Sequence, residues 1–322
     1  MTSMPGPAGV AVVGSLTVDL TSFSDRLPAP GETVLGRQFT MVAGGKGANQ
    51  ALAAARMGAP TWMIGCVGDD VFSTTVTDGL DAGGVNHEFV RAVPGTATGI
   101  AHIRVDGRGD NDIVMIPLAN SDLRTGDVDA ALAGLADRVS VVLVQLEIPV
   151  DVAMHALRAA HARGITTVLN PAPAPREPLP ADVYHQIDVV TPNETEASLL
   201  TGINVVDEES ARRAGEWFTG QGCRAAVITM GAAGAVLVRR DEPVQLIPPV
   251  PVTAVDSTAA GDAFTGALGS RLAVAEGLEA ALRWAAAAGA LATTVGGASS
   301  SIPDRDAVHR LLQGAARMEA IS

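Results

Sequence analysis

The sequence predicts an α/β protein built on a mostly parallel, doubly wound sheet, and three observations predict it. From residue 139 onward, short apolar runs alternate with helix-length segments of small apolar residues, as in a parallel sheet covered by helices. The composition is 47% hydrophobic but only 3% aromatic, so the core must be assembled from Ala, Val, Leu and Ile. A chain of 322 residues buries about three quarters of its unfolded surface, so it needs no disulfide or metal staple.

In chain order, residues 10–13 form an apolar first strand, and the glycines of 44–47 open a helix of small residues that runs to 59. Residues 97–105 alternate, Asp106-Gly107 signals a turn, and 113–116 is a second apolar run. Together these predict a hairpin standing apart from the main sheet. A strand over 141–146, a helix over 150–163 stopped by Gly164 and a strand over 166–169 follow. Residues 189–190 lead through Thr191-Pro192-Asn193 into another helix. Strands over 225–229 and 235–238 flank a turn with Gly231 and Gly234. A further strand over 250–255 runs into Asp256, and helices start at Gly261 and near Ala280. The Ala-rich stretch 284–295 is too short to span a membrane and reads as buried helix, and 304–316 as a closing amphipathic helix.

The net charge of −13 disfavours binding to nucleic acid or to an anionic membrane, while leaving room for a small anion held by backbone amides. Cys66 and Cys223 lie in or beside apolar stretches, outside any metal-spaced cluster, and read as buried thiols. The opening Met1-Thr-Ser-Met-Pro-Gly-Pro has neither a basic segment nor a long apolar one. The expectation is a cytoplasmic protein without a leader.

In open α/β sheets, ligands bind beyond the carboxyl ends of the strands. There the sequence collects Thr17 and Asp19, Glu147, Asn170, Asn193 with Glu196, Thr229 and Gly231, and Asp256 with Asp262. Such a rim of carboxylates, amides and glycines suits a polyhydroxyl ligand and a metal-bound phosphate. In Asp256-Ser257-Thr258-Ala259-Ala260-Gly261-Asp262, small residues allow close backbone approach. The following helix start offers free amides to developing negative charge. Asp262 is placed there either to accept a proton from a hydroxyl or simply to cap the helix. Gly44-Gly45-Lys46-Gly47 is not a Walker A loop. It is a turn before a helix, or a cradle in which Lys46 and Asn49 bind sugar hydroxyls. Asn193 and Glu196, one helical turn apart, either cap a helix or organise a hydrated Mg²⁺.

Taken in order, Gly44-Gly45-Lys46-Gly47-Ala48-Asn49-Gln50, Asn193-Glu194-Thr195-Glu196 and Asp256 with Ala259-Ala260-Gly261-Asp262 resemble the ribokinase branch of the PfkB carbohydrate kinases. Pro30-Gly31-Glu32-Thr33, Gln145-Leu146-Glu147 and Asn170-Pro171-Ala172-Pro173-Ala174 match as well, and the likeness covers about residues 10–303. The resemblance implies transfer of the γ-phosphoryl group of ATP to a small sugar, the 5-hydroxyl of D-ribose first among candidates. It implies one kinase domain over 1–322, a Rossmann-like α/β/α sandwich with a small β-sheet lid from 17–42 and 97–116, and a homodimer of paired lids. Asp262 would be the general base, with Ala259, Ala260 and Gly261 as the anion hole. Thr17, Asp19, Gly45, Lys46, Asn49 and Glu147 would hold the sugar together with Asp262. Asn193, Thr229, Met230, Gly231, Ala232, Ala233, Gly234, Gly261 and Ala286 would face ATP, and Glu196 the water shell of Mg²⁺. A monovalent cation, K⁺, would sit beside the anion hole. Its ligands would be the side chains of Asp256 and Ser301 and the carbonyls of Thr258, Ala292, Val295 and Gly297.

The chain departs from that pattern at three places. Thr17 stands where ribokinases usually carry Asn, Ala286 where a larger polar residue often borders adenine, and Leu118 interrupts an expected Gly-Ala-Asn run. Other sugars, namely 2-deoxyribose, a ketohexose or a ketodeoxy sugar acid, are the alternatives within the class, and the wall around Thr17 separates them. A non-catalytic sugar or nucleotide sensor would lack the base or the anion hole. A dinucleotide-binding dehydrogenase would need a G-x-G-x-x-G that Gly14-Ser15-Leu16-Thr17 does not supply.

Overall fold

The computed structural model describes residues 9–319, so the opening segment read as lacking a leader lies outside the described residues. Strand β1 (Gly9–Val13) leads into β2 (Thr17–Ser24) and β3 (Gly36–Gly44). Helix α1 (Lys46–Arg56), β4 (Thr61–Gly68), α2 (Val71–Ala82) and β5 (Val85–Val93) follow. Next come β6 (Gly99–Val105), β7 (Asn111–Ile116), α3 (Thr125–Gly134), β8 (Val139–Val144), α4 (Val150–His161) and β9 (Thr166–Leu169). The remaining elements are β10 (Val189–Val190), α5 (Glu194–Thr201), α6 (Glu208–Gln221), β11 (Ala225–Thr229), β12 (Ala235–Arg239) and β13 (Gln245–Ile247). Helices α7 (Ala260–Ala273), α8 (Leu278–Ala292) and α9 (Arg305–Glu319) close the chain.

Nine strands form one sheet in the order β13-β12-β11-β10-β9-β8-β1-β4-β5. From β5 to β11 the pairing is parallel, and only β12 and β13 run antiparallel at one edge. Strands β1 and β4 are buried along their whole length, because helices cover both faces. Along β1, Ala11 and Val13 enter the core beneath α3, α4 and α6, while Val10 and Val12 enter the one beneath α1, α7 and α8. Gly266 sets the distance between α7 and α1. A Cβ there would lie 2.4 Å from the Cβ of Ala53 and 2.5 Å from the Gln50 carbonyl. Glycine permits that approach and so brings the start of α7 onto the start of α1.

The segments expected to stand apart form a separate four-stranded sheet, β3-β2-β6-β7, with the β6–β7 hairpin turning just past Asp106. Residues 250–255, expected as a strand, are irregular, which corrects that expectation. Pro248, Pro249 and Pro251 lack the N–H groups a ladder requires, and the amides of Val255 and Asp256 bond instead to the Thr293 carbonyl. Cys66 and Cys223 are buried as expected, and burial pushes their thiols up to about 11 and about 12. Among the described residues, no helix is long and apolar enough to cross a membrane.

Candidate active site

The site begins where the chain leaves β1. The buried Asn120 side chain accepts from the Leu16 amide at 2.8 Å and donates to the Leu16 carbonyl at 2.8 Å, acting as a strand partner would. This fixes the entry into β2, where the Thr17 hydroxyl donates to Asp19 Oδ1 at 2.9 Å. Gly44 faces Asp19 from β3. A Cβ at Gly44 would sit 2.1 Å from Asp19 Oδ1, so the glycine leaves the space the carboxylate occupies. Gly45, at φ 92°, turns the chain into α1. The Lys46 amide at that helix start donates to Glu147 Oε2 at 3.0 Å, and Ser15 Oγ donates to the same oxygen at 2.5 Å. A carboxylate thus meets the positive end of α1.

Asp262 stands in the first turn of α7, behind Ala259 in the left-handed region at φ 59°. Of the three residues expected as the anion hole, Ala260 donates its amide to the Ser257 carbonyl at 3.2 Å, whereas the amides of Ala259 and Gly261, and that of Asp262, have no acceptor among the described residues. The Asp262 side chain is 6% exposed. Its Oδ2 accepts from Asn49 Nδ2 at 3.1 Å and its Oδ1 from Gln50 Nε2 at 3.0 Å.

Burial and like charge govern the titration of this cluster. Burial, reinforced by Glu147 and Asp262 and opposed by the Thr17 hydroxyl, raises the Asp19 carboxyl to about 6. Burial also raises the Asp262 carboxyl, against Lys46, Gln50 and Asn49. At Lys46 burial works against the ammonium, but Asp262, Glu147 and Glu196 outweigh it and raise its pKa. Burial raises Glu196, against the Asn193 N–H and Lys46. A single ammonium among several carboxylates makes a pocket of acceptors, suited to hydroxyl donors and hostile to an anionic sugar.

Lys46, Asn193, Glu196, Thr229, Ala259, Gly261 and Asp262 line one cleft of about 210 Å³. Asn193 and Glu196 do cap α5: Asn193 Oδ1 accepts from the Glu196 amide at 2.8 Å, and Glu196 Oε2 from the Asn193 amide at 2.9 Å. Capping engages the single side-chain oxygen of Asn193 and one of the two of Glu196, leaving Asn193 Nδ2 and Glu196 Oε1 unengaged, and both residues line the cleft. Met230 is buried, whereas Gly231, Ala232 and Ala233 form an exposed turn closed by Gly234 at φ 90°. Ala286 packs against the core beneath α1 and α7 and is not among the residues lining the cleft.

Of the residues expected around K⁺, Asp256 and Gly297 meet directly. Asp256 Oδ2 accepts from the Gly297 amide at 2.9 Å, which ties 256–258 to the loop 296–301. Asp256 Oδ1 accepts from the Thr258 amide at 2.9 Å and hydroxyl at 2.6 Å. The carbonyls of Thr258, Val295 and Gly297 take part in no backbone hydrogen bond among the described residues. The Ala292 carbonyl accepts from the Val295 amide at 3.4 Å, and the buried Ser301 hydroxyl donates to the Ala298 carbonyl at 2.8 Å. Ser301 therefore retains only lone pairs for a cation. Among the described residues no group of three or more His, Cys, Asp or Glu side chains is placed to hold a metal ion.

Two residues of the site were given no role from the sequence: Gly44 clears room for Asp19, and Gln50 binds Asp262. Asn170, expected at the rim, accepts from Gln50 Nε2 at 3.0 Å. The signal for Gln50 was available, since it is the one long uncharged polar side chain in an Ala-rich helix; it is completely buried.

The model of the pfkB family carbohydrate kinases matches residues 8–305. The ribokinase of Bacillus subtilis is 40% identical over 303 residues, which cover 94% of this chain and 99% of that protein. A bifunctional ribokinase/ribose-5-phosphate isomerase A of Fructilactobacillus sanfranciscensis is also 40% identical, but the chain spans only 55% of its length. The deoxyribokinase of Salmonella typhimurium is 37% identical over 294 residues, covering 91% of this chain and 95% of that protein. The structure of Arabidopsis thaliana ribokinase complexed with ribose and ATP superposes with a TM-score of 0.85 at 32% identity, over 95% of this chain and 99% of that one. The chain belongs to the pfkB family of carbohydrate kinases.

Proposed function

We propose that the chain phosphorylates D-ribose on its 5-hydroxyl with ATP. The observation that carries this is the buried Asp262, which joins the acceptor-rich pocket of Asp19, Asn49 and Glu147 to the cleft of Lys46, Asn193 and Glu196. Ribokinases of matching length and a structure holding ribose and ATP support ribose as the sugar.

In this reading Asp19, Lys46, Asn49 and Glu147 bind the sugar hydroxyls, and Asp262 accepts the proton of the attacking one. The new O–P bond forms as the bond from the γ-phosphorus to its bridging oxygen breaks, and ADP leaves. The open amides of Gly261 and Asp262, with the α7 dipole, hold the charge on the transferring group. Glu196 would hold Mg²⁺ through its water shell, and the ion arriving with ATP would supply neutralisation of the phosphate oxygens. K⁺ beside Asp256 would supply a fixed positive charge and hold the anion-hole loop in place. Asn193 and residues 229–234 border the nucleotide. The chain acts in the cytoplasm as a homodimer through the four-stranded sheet. Phe39, Met41, Val114 and Ile116 share one face of that sheet and are 60%, 45%, 60% and 43% exposed.

A second reading, 2-deoxyribose as substrate, is favoured by Thr17. Its proton is committed to Asp19, and a deoxyribokinase is among the relatives. The carboxylate-rich pocket argues against a sugar acid. ATP consumption across pentoses and hexoses is the test. Turnover of a hexose with neither pentose accepted would overturn the ribose assignment.

A further inference from the structure

We infer that Gln50 is a positioning residue for Asp262, locking the carboxylate so that Oδ2 is presented to the sugar hydroxyl. The inference rests on the proposed role of Asp262 as the base.

Gln50 is 0% exposed and every polar atom of its side chain is used. Its Nε2 lies 3.0 Å from Asp262 Oδ1 and 3.0 Å from Asn170 Oδ1, and its Oε1 accepts from Gln145 Nε2 at 2.5 Å. Asn170 in turn donates from Nδ2 to the Thr191 carbonyl at 2.9 Å. The amide orientations follow from chemistry. Only Nε2 of Gln50 can face a carboxylate, so Oε1 faces Gln145, which must offer its own nitrogen. Gln145 Oε1 is thereby left buried without a partner. The chain of amides runs from the end of β8 through α1 to α7 and commits one oxygen of Asp262 to the protein frame. The other oxygen meets only Asn49, itself expected to bind the sugar. Lys46 and Glu147 are the charges acting on Asp262, and Asp19 and Glu196 feel its charge in turn.

Removing the Gln50 donor frees the carboxylate to rotate and withdraws a hydrogen bond from its charged form. The test compares Gln50→Leu and Gln50→Glu with the wild type and Asp262→Asn, measuring kcat, sugar KM and the pH dependence of kcat. A hydrogen bond to a charged group, about 1.5–3 kcal/mol, corresponds to a fall of roughly 10- to 150-fold in kcat for Gln50→Leu. Sugar KM should stay within about threefold, and the acid limb of kcat should move up by about one pH unit or more. Gln50→Glu, which keeps the shape but sets a second carboxyl beside Asp262, should shift the limb in the same direction. It decides the question should Gln50→Leu fail to fold. A purely structural role would lower the melting temperature without moving the limb. An unshifted limb with kcat within threefold, while Asp262→Asn is inactive, overturns the inference. An active Asp262→Asn overturns the base assignment itself.

Discussion

Replacing Asp19 with Asn should make the sugar-free protein more stable and its sugar binding worse. Asp19 is 6% exposed and faces Glu147 and Asp262, and its carboxyl lies near 6 in the fold against an ordinary value of 3.8. The folded state therefore binds this proton more tightly than the unfolded chain does. Stability from this group is fully present below 3.8 and is lost as pH rises through about 6. At about 1.4 kcal/mol per pH unit, the ionised Asp19 costs about 3 kcal/mol at pH 7.5. Asn is nearly isosteric, can still accept from the Thr17 hydroxyl, and carries no charge. Denaturant melts should show Asp19→Asn more stable by up to about 3 kcal/mol at pH 7.5, and by about 1 kcal/mol at pH 4.5, where the native aspartate is already protonated. Sugar KM should rise about tenfold or more, because a charged acceptor for sugar hydroxyls is lost. An advantage of the same size at both pH values, or none at either, refutes the electrostatic account.

Other consequences follow from the same geometry. Glu196→Gln keeps an acceptor for the Asn193 amide, so α5 should stay capped while the Mg²⁺ requirement rises and sugar KM holds; a magnesium titration of the rate checks this. Turnover should rise with K⁺, and identical rates with and without K⁺ contradict the cation site around Asp256. Thr17→Asn should raise the ratio of kcat/KM for ribose over 2-deoxyribose by about 2- to 10-fold, the worth of one directed hydrogen bond. Phe39→Asp puts a charge on the apolar face of the small sheet and should give a monomer by light scattering, where the wild type gives a dimer.

Much of this was legible in the sequence because each rim residue follows a strand with a clear apolar run. Glu147, Asn170 and Asn193 were placed that way, and Lys46 and Asp262 by the glycines before their helices. What escaped depends on contacts between distant segments. Gly44 matters because of Asp19, 25 positions before it in the chain, and Gln50 because Gly266 lets α7 descend onto α1. The capping and ligand readings of Asn193 and Glu196 were set against each other, yet capping leaves Oε1 of Glu196 and Nδ2 of Asn193 unengaged. The run 250–255 has the hydrophobicity of a strand, but prolines deny it the ladder. Leu118, noted only as a departure, sits at φ 46°, where glycine is free of strain and a β-carbon costs about 1 kcal/mol.

The most direct test of the account is the turnover of Asp262→Asn with D-ribose and saturating ATP, alongside calorimetric ATP binding. The account predicts a fall in kcat of about 10²- to 10⁴-fold with ATP affinity nearly unchanged, the loss expected of a general base in a reaction otherwise driven by positioning. Retention of more than about a tenth of wild-type turnover would contradict it.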